Sequence, residues 1–172
     1  MLVLFSLFFL FGFMSETWKV AGQSSDLTKT VEMLVKEKLE SQWTETDPPA
    51  ASIDFGTGWG AGMTKNYAVH CLHASTTSAP VVNGWSKYMY ETLVDVHVFA
   101  LRTTLFEPDQ LRKMRQHIDK IIAQNKASLG QGISSMRLVR WTAAHDPKDI
   151  TDTPYWHLVG HHKITYYKVN TA

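Results

Sequence analysis

Histidine is the first residue type in this sequence that could do chemistry, because a neutral imidazole is a common ligand of transition metals. There are eight histidines, and five of them stand in two short segments. If both segments are strands, side chains alternate between the faces, so His70 and His73 point in opposite directions. His157 and His161 share a face, but their Cα atoms lie about 13 Å apart, and His162 points the other way. We therefore predict no metal site and no cofactor.

The second candidate for chemistry is the single cysteine, Cys71. Acyl transfer needs a nucleophile, a base and an orienting group in contact. His70 is a neighbour on the same predicted strand and points away from Cys71, while His73 lies two residues further along. A small buried core residue is the commoner role for such a cysteine. We predict that the protein has no catalytic residues and is not an enzyme. The alternative is a small α+β enzyme, which needs a pocket gathering Cys71, Asp95 or His97.

Composition narrows the possible classes of protein. With 172 residues the chain has the usual length of one domain. Hydrophobic residues make up 44% and charged residues 19%, which predicts a folded chain rather than a disordered one. The formal net charge is +1, whereas a dedicated nucleic-acid-binding protein usually carries a clear basic excess.

Apolar residues at helical spacing predict two helices. The first begins at Asp26 and is followed by the helix-breaking Asp47-Pro48-Pro49. The second opens at Glu107-Pro108, where proline is tolerated in the first turn, and ends before Gly130. Its apolar stripe needs a sheet face to pack on. The predicted stripe consists of Leu111, Met114, Ile118, Ile121 and Ile122.

Period-two alternation predicts four strands, and glycine or small polar residues predict the loops between them. The fold class is therefore α+β: a single domain with a mixed or antiparallel sheet and two helices packed on one face. The order is helix, short strands, then strand–helix–strand–strand. The predicted strands are 67–74, 85–102, 135–143 and 155–169, and the loops include 55–62 and 75–80.

The two faces of the long strand 85–102 differ in character. Val94, Val96 and Val98 point one way and are expected to pack on the stripe of the second helix. The other face is polar and needs either water or a partner. The last strand combines aromatic residues with lysine, a composition found where subunits meet. The residues that we assign to an interface are Glu91, Asp95, His97, Trp156, Lys163, Tyr166 and Tyr167.

The N-terminus stands apart from the domain. Residues 1–13 are apolar apart from Ser6, and they are too few to span a bilayer, which needs about 20. They are read as a false start upstream of Met14, as a secretory signal cleaved near Gly22, or as an anchor. We exclude them from the fold, treat residues 14–25 as an arm and assign residues 26–172 to one α+β domain.

The order of these elements resembles that of the tail-terminator and tail-completion proteins of long-tailed phages and archaeal viruses. In that family an N-terminal helix precedes a sheet, and a long strand such as LVDVHVFALR leads into a helix such as PDQLRKMRQHIDKII. A strand such as MRLVRWTAA and a final strand such as HHKITYYKV close the domain. The polar residues 146–154 take the place of the family's loop before the last strand.

The resemblance implies a structural virion protein that forms a homo-oligomeric ring, with six subunits as the expected number. The ring would cap the tail tube at its head-proximal end and contact tail-tube and neck (connector) proteins. It would assemble in the host cytoplasm, without a membrane and without dedicated nucleic-acid binding. The competing hypothesis is a secreted or periplasmic protein whose histidines bind a metal or a small ligand, which requires residues 1–22 to be a signal peptide.

Overall fold

The computed structural model describes residues 18–19, 26–27, 29–58, 64–80, 87–102, 109–126, 133–143 and 155–169. Two short strands, β1 (Trp18–Lys19) and β2 (Asp26–Leu27), pair antiparallel before the first helix. The predicted helix start at Asp26 is therefore wrong. Leu27 has the right spacing for the helix stripe, but its backbone pairs with Trp18, nine residues earlier. Helical spacing within a segment does not reveal such a pairing.

The first helix, α1, spans Val31–Ser41, and Thr30 occupies its N-cap in an extended conformation. Its buried residues recur at helical spacing, so one face of the helix is apolar. The second helix, α2, spans Asp109–Gln124 and has the same design, with an apolar stripe that includes His117. Four α1 residues, Val31, Leu34, Val35 and Leu39, are buried in the same core as the α2 stripe.

Five further strands form one sheet. They are β3 (Ile53–Thr57), β4 (Tyr67–Pro80), β5 (Lys87–Leu101), β6 (Ile133–Ala143) and β7 (Tyr155–Val169). Their spatial order is β3-β4-β5-β7-β6, with β3 and β4 parallel and the remaining neighbours antiparallel. The mixed sheet and the two helices confirm the predicted α+β class.

Two predicted loops are partly strand. Residues 53–57, which include the start of the glycine-rich segment, form β3, and residues 75–80 continue β4. Residues 75–80 contain no large apolar residue, and in β3 the apolar alternation is limited to Ile53 and Phe55, so both stretches carry little strand signal. They are held by the ladder to a neighbouring strand, and β4 follows β5 as far as the pair Pro80 and Tyr88, with a bulge between His73 and Ser75. β7 also lies between β5 and β6, so the two strands that α2 connects along the chain are not neighbours in the sheet.

The core lies between the helices and one face of the sheet, which we call the helix face. Val94, Val96 and Val98 on β5 are fully buried there, in one cluster with Leu111, Met114, Ile118 and Ile121 of α2. This confirms the predicted packing of the valine face on the second helix. Cys71 on β4 belongs to the same cluster and is fully buried. We call the opposite face of the sheet the far face.

Candidate functional site

Strand register places a group of polar side chains on the far face of the two central strands. Directly paired residues share a face, and the valine positions of β5 define the helix face. Glu91, Asp95 and His97 alternate with those valines and therefore lie on the far face. Across on β7, Asp95 pairs with His161, and Leu93 pairs with Lys163. The structure therefore brings together four of the seven residues that the sequence assigned to an interface.

Two of the seven residues lie on the helix face instead. Tyr166 is only 7% exposed and stacks on Tyr90, with ring centroids 5.3 Å apart. Trp156 packs against the core, and the guanidinium of Arg102 lies 5.8 Å from its ring centroid. This placement corrects their assignment to an outer surface, because even-numbered positions of β7 face the helices. Tyr167 completes the seven assigned residues, and its side chain is not among those that the structure describes.

Ionic and hydrogen-bonding contacts link three strands across the far face. His161 Nδ1 lies 2.7 Å from Asp95 Oδ1, and His161 Nε2 lies 3.1 Å from Thr142 Oγ1. When His161 is neutral, it donates to Asp95 and accepts from the Thr142 hydroxyl. Lys163 forms an ion pair with Glu91 on the neighbouring strand. These contacts join β5, β7 and β6, so the polar face is organised rather than a set of separate solvated side chains.

The Thr142–His161–Asp95 contacts have the connectivity of a nucleophile, base and acid in hydrolases. Hydrolysis also needs hydrogen-bond donors aimed at the developing oxyanion, and these are usually backbone N–H groups. Here β7 is an interior strand paired on both sides, so its amides lie in the plane of the sheet rather than pointing above it. The contacts are suited to holding three strands together. Sequence reasoning missed Thr142, which is 19 residues from His161 along the chain.

Aromatic rings and imidazoles stack at one end of the far face. His97 Nδ1 and His157 Nε2 are 2.8 Å apart, so one ring donates a hydrogen bond and the other accepts it. Phe99 stacks on His157 with a centroid distance of 4.1 Å, and His70 meets the same Phe99 edge-on. Burial is the main cause that lowers the pKa of His97 and of His70. Both rings are therefore held in the neutral form near neutral pH.

The remaining sequence candidates are dispersed. His73 is paired with Val94, on the side away from His70, as strand alternation predicts. His162 is fully buried on the helix face, and burial lowers its pKa to about 4. Burial also raises the pKa of the Cys71 thiol far above its usual range, so a reactive thiolate does not form there. Within the described ranges, no three His, Cys, Asp or Glu side chains converge as a metal-binding group.

A separate cavity of about 260 Å³ lies beside α2, bordered by Glu45, Lys113, Gln116, His117 and Lys120. His117 Nε2 accepts a hydrogen bond from the Thr44 amide at 3.1 Å, and the Trp43 ring meets the imidazole edge-on. Burial lowers the pKa of His117. These contacts hold the segment after α1 against α2, so the buried position of His117 is explained by packing between these two parts of the chain. Among the described helices, none is long and apolar enough to cross a membrane.

Comparisons with known proteins found one distant structural similarity and no family. No protein-family model matches the chain, and no curated protein matches it. A solved structure described as the virion of a native gene transfer agent particle contains a chain with a similar backbone. The TM-score is 0.45 at 8% sequence identity, and the alignment covers 82% of this chain and 95% of that one. At this level of similarity the likeness does not determine a role for this chain.

Proposed function

We propose that this protein is a structural component of a virion or virion-like particle and acts as a tail terminator. In this role, copies of the chain form a ring that caps the tail tube and joins it to the neck. The proposal starts from the resemblance in element order. From α1 onward, the observed order is three strands, α2 and two strands, which is the order on which the resemblance rests, while β1 and β2 precede α1 as additional elements.

The observation that carries the proposal is the difference between the two faces of the sheet. Both helices pack on one face, and the other carries paired charges together with exposed apolar residues. Leu93 and Leu101 lie on the far face of β5 and are 37% and 39% exposed. Charged pairs beside exposed leucines are typical of a surface that contacts another protein.

The sheet edges support assembly as well. In the described sheet, β3 and β6 are the outer strands and each pairs with one neighbour only. An outer strand presents unpaired N–H and C=O groups to another chain. Closed rings satisfy such edges without forming fibres. A ring-forming structural protein therefore uses both the far face and the edges, whereas a catalyst needs neither.

The proposal predicts that the chain is part of purified native particles and that the far face is needed for its incorporation. Leu93→Glu replaces an exposed apolar side chain of the proposed contact with a charge, so we expect incorporation to fall at least about tenfold. The control is Met33→Glu on α1, because Met33 is 40% exposed and thus similar to Leu93. Quantitative mass spectrometry of purified particles measures the amount of each variant.

The control should be incorporated as well as the native chain, and both variants should unfold at the native temperature. Absence of the native chain from purified particles would show that it is not a particle component. Equal incorporation of the Leu93→Glu and Met33→Glu variants would show that the far face is not the contact surface.

A further inference from the structure

Strand β6 contains a bulge that changes which side chains reach the far face. Arg137 pairs with Lys163 and Arg140 pairs with His161, and the register shifts between Leu138 and Arg140. In a regular strand, residues three apart point to opposite faces. The extra residue, Val139, returns Arg140 to the face that Arg137 occupies. Bulges commonly redirect a side chain in this way near functional sites.

The bulge creates a compact basic cluster of Arg137, Arg140, His161 and Lys163. Two members have a carboxylate partner: Lys163 forms an ion pair with Glu91, and His161 Nδ1 lies within hydrogen-bond distance of Asp95. The two arginines are exposed, and neither forms an ion pair or hydrogen bond with the described residues. Like charges placed directly opposite each other, as Arg137 and Lys163 are, destabilise a sheet. An arrangement that costs stability and leaves two guanidinium groups without a carboxylate among the described residues fits an anionic partner.

The position of the cluster indicates what kind of partner it is. β6 is an outer strand of the described sheet, and the Met136 amide on its outer side already donates to the Lys126 carbonyl. From Leu138 onward, no described strand pairs with the outer side of β6, so another strand can pair there, beside Arg140. Val139, the bulge residue, is 55% exposed and offers an aliphatic contact at the same place. A polypeptide in extended conformation uses all three features, whereas a nucleic acid uses only the charges.

We infer that the edge of β6 is the docking site for an extended acidic segment of a partner protein in the particle. The segment adds a strand beside β6 and places carboxylates over Arg137 and Arg140 on the far face. Alternate residues of a strand are roughly 7 Å apart on one face, so two acidic residues separated by one other residue reach both arginines. This inference rests on the proposed role in assembly, for which it specifies a partner.

The test uses the full chain and a fluorescent peptide of sequence Glu-Thr-Glu-Val-Glu-Thr, with a second peptide in which glutamine replaces glutamate. Fluorescence anisotropy should show binding of the acidic peptide at low salt, and the glutamine peptide should bind at least about tenfold more weakly. The double variant Arg137→Gln/Arg140→Gln should weaken acidic-peptide binding to the same extent. The double variant Arg112→Gln/Arg115→Gln on α2 is the matched control and should bind like the native chain.

Amide hydrogen exchange separates strand addition from attraction between charges alone. On peptide binding, exchange should slow in residues 135–143 and remain unchanged in α1. Native-like binding by the Arg137→Gln/Arg140→Gln variant, no binding by the native chain, or unchanged exchange in β6 would overturn the inference. Tighter binding of duplex DNA in competition with the peptide would overturn it too. If the chain is present in particles but does not bind the peptide, the inferred docking site is wrong and the proposed function is unaffected. If the chain binds the peptide but is absent from particles, only the proposed function is contradicted.

Discussion

Replacing Val96 by aspartate should destabilise the protein by about 4 kcal/mol or more, a large part of the stability of a typical domain. Val96 is fully buried in the core that β5 shares with α2. Its neighbours across the ladders are Cys71 on β4 and Gly160 on β7, neither of which offers a cation. The new carboxylate is therefore buried without a counter-charge or takes up a proton, and both outcomes reduce the free energy of unfolding.

Urea denaturation followed by circular dichroism measures this loss. The matched control is Val139→Asp on β6, since Val139 is 55% exposed and its substitution leaves the charge in water. We expect the control to change the free energy of unfolding by less than about 0.5 kcal/mol. A Val96→Asp variant as stable as the native chain would mean that the valine face of β5 is not the core.

Stability should also fall as the pH is lowered from about 6.5 to 5, and His162 should be a principal cause. Burial lowers its pKa to about 4 in the folded chain, while an unfolded chain has the ordinary value of about 6.5. The unfolded state therefore binds a proton first, so the contribution of His162 is fully present above pH 6.5 and is lost below it. One such group changes the free energy of unfolding by up to about 1.4 kcal/mol per pH unit, which amounts to about 1.6 kcal/mol over this interval because the slope is only half as steep at pH 6.5.

Denaturation at several pH values tests this assignment. In the His162→Leu variant, the dependence of the free energy of unfolding on pH should be less steep by about the contribution of one proton. Some slope should remain in His162→Leu, because burial lowers the pKa of His70, His97 and His117 in the same direction. If His162→Leu keeps the native slope, another group is responsible for the acid sensitivity.

Sequence periodicity alone is sufficient to predict the elements that are both long and strongly patterned. α2 and β5 were predictable because each has a complete apolar stripe, and their packing followed from the need to bury both stripes. β3 and the second half of β4 were not, because they depend on pairing with a neighbouring strand rather than on their own composition. The start of α1 was misplaced for the same reason, since Leu27 pairs with Trp18.

The candidate site was predictable only in part. Strand alternation correctly grouped Glu91, Asp95 and His97 on β5, opposite the valines. On β7 the interface was predicted from aromatic composition without separating odd from even positions, so it included Trp156 and Tyr166, which lie on the helix face. Arg140 and Thr142 reach the far face only because of the bulge at Val139, and a bulge depends on register with a partner strand. Composition and spacing within β6 do not reveal that register.

The proposed role as a tail terminator is tested most directly by electron cryo-microscopy of native particles, at a resolution that allows this chain to be fitted. The expected result is a closed ring of copies of the chain at the head-proximal end of the tail tube, with the far face or the sheet edges in the subunit contacts. A chain that is monomeric in its native setting and turns over a small-molecule substrate would contradict the account. A position in the particle away from the tube end would contradict the terminator role.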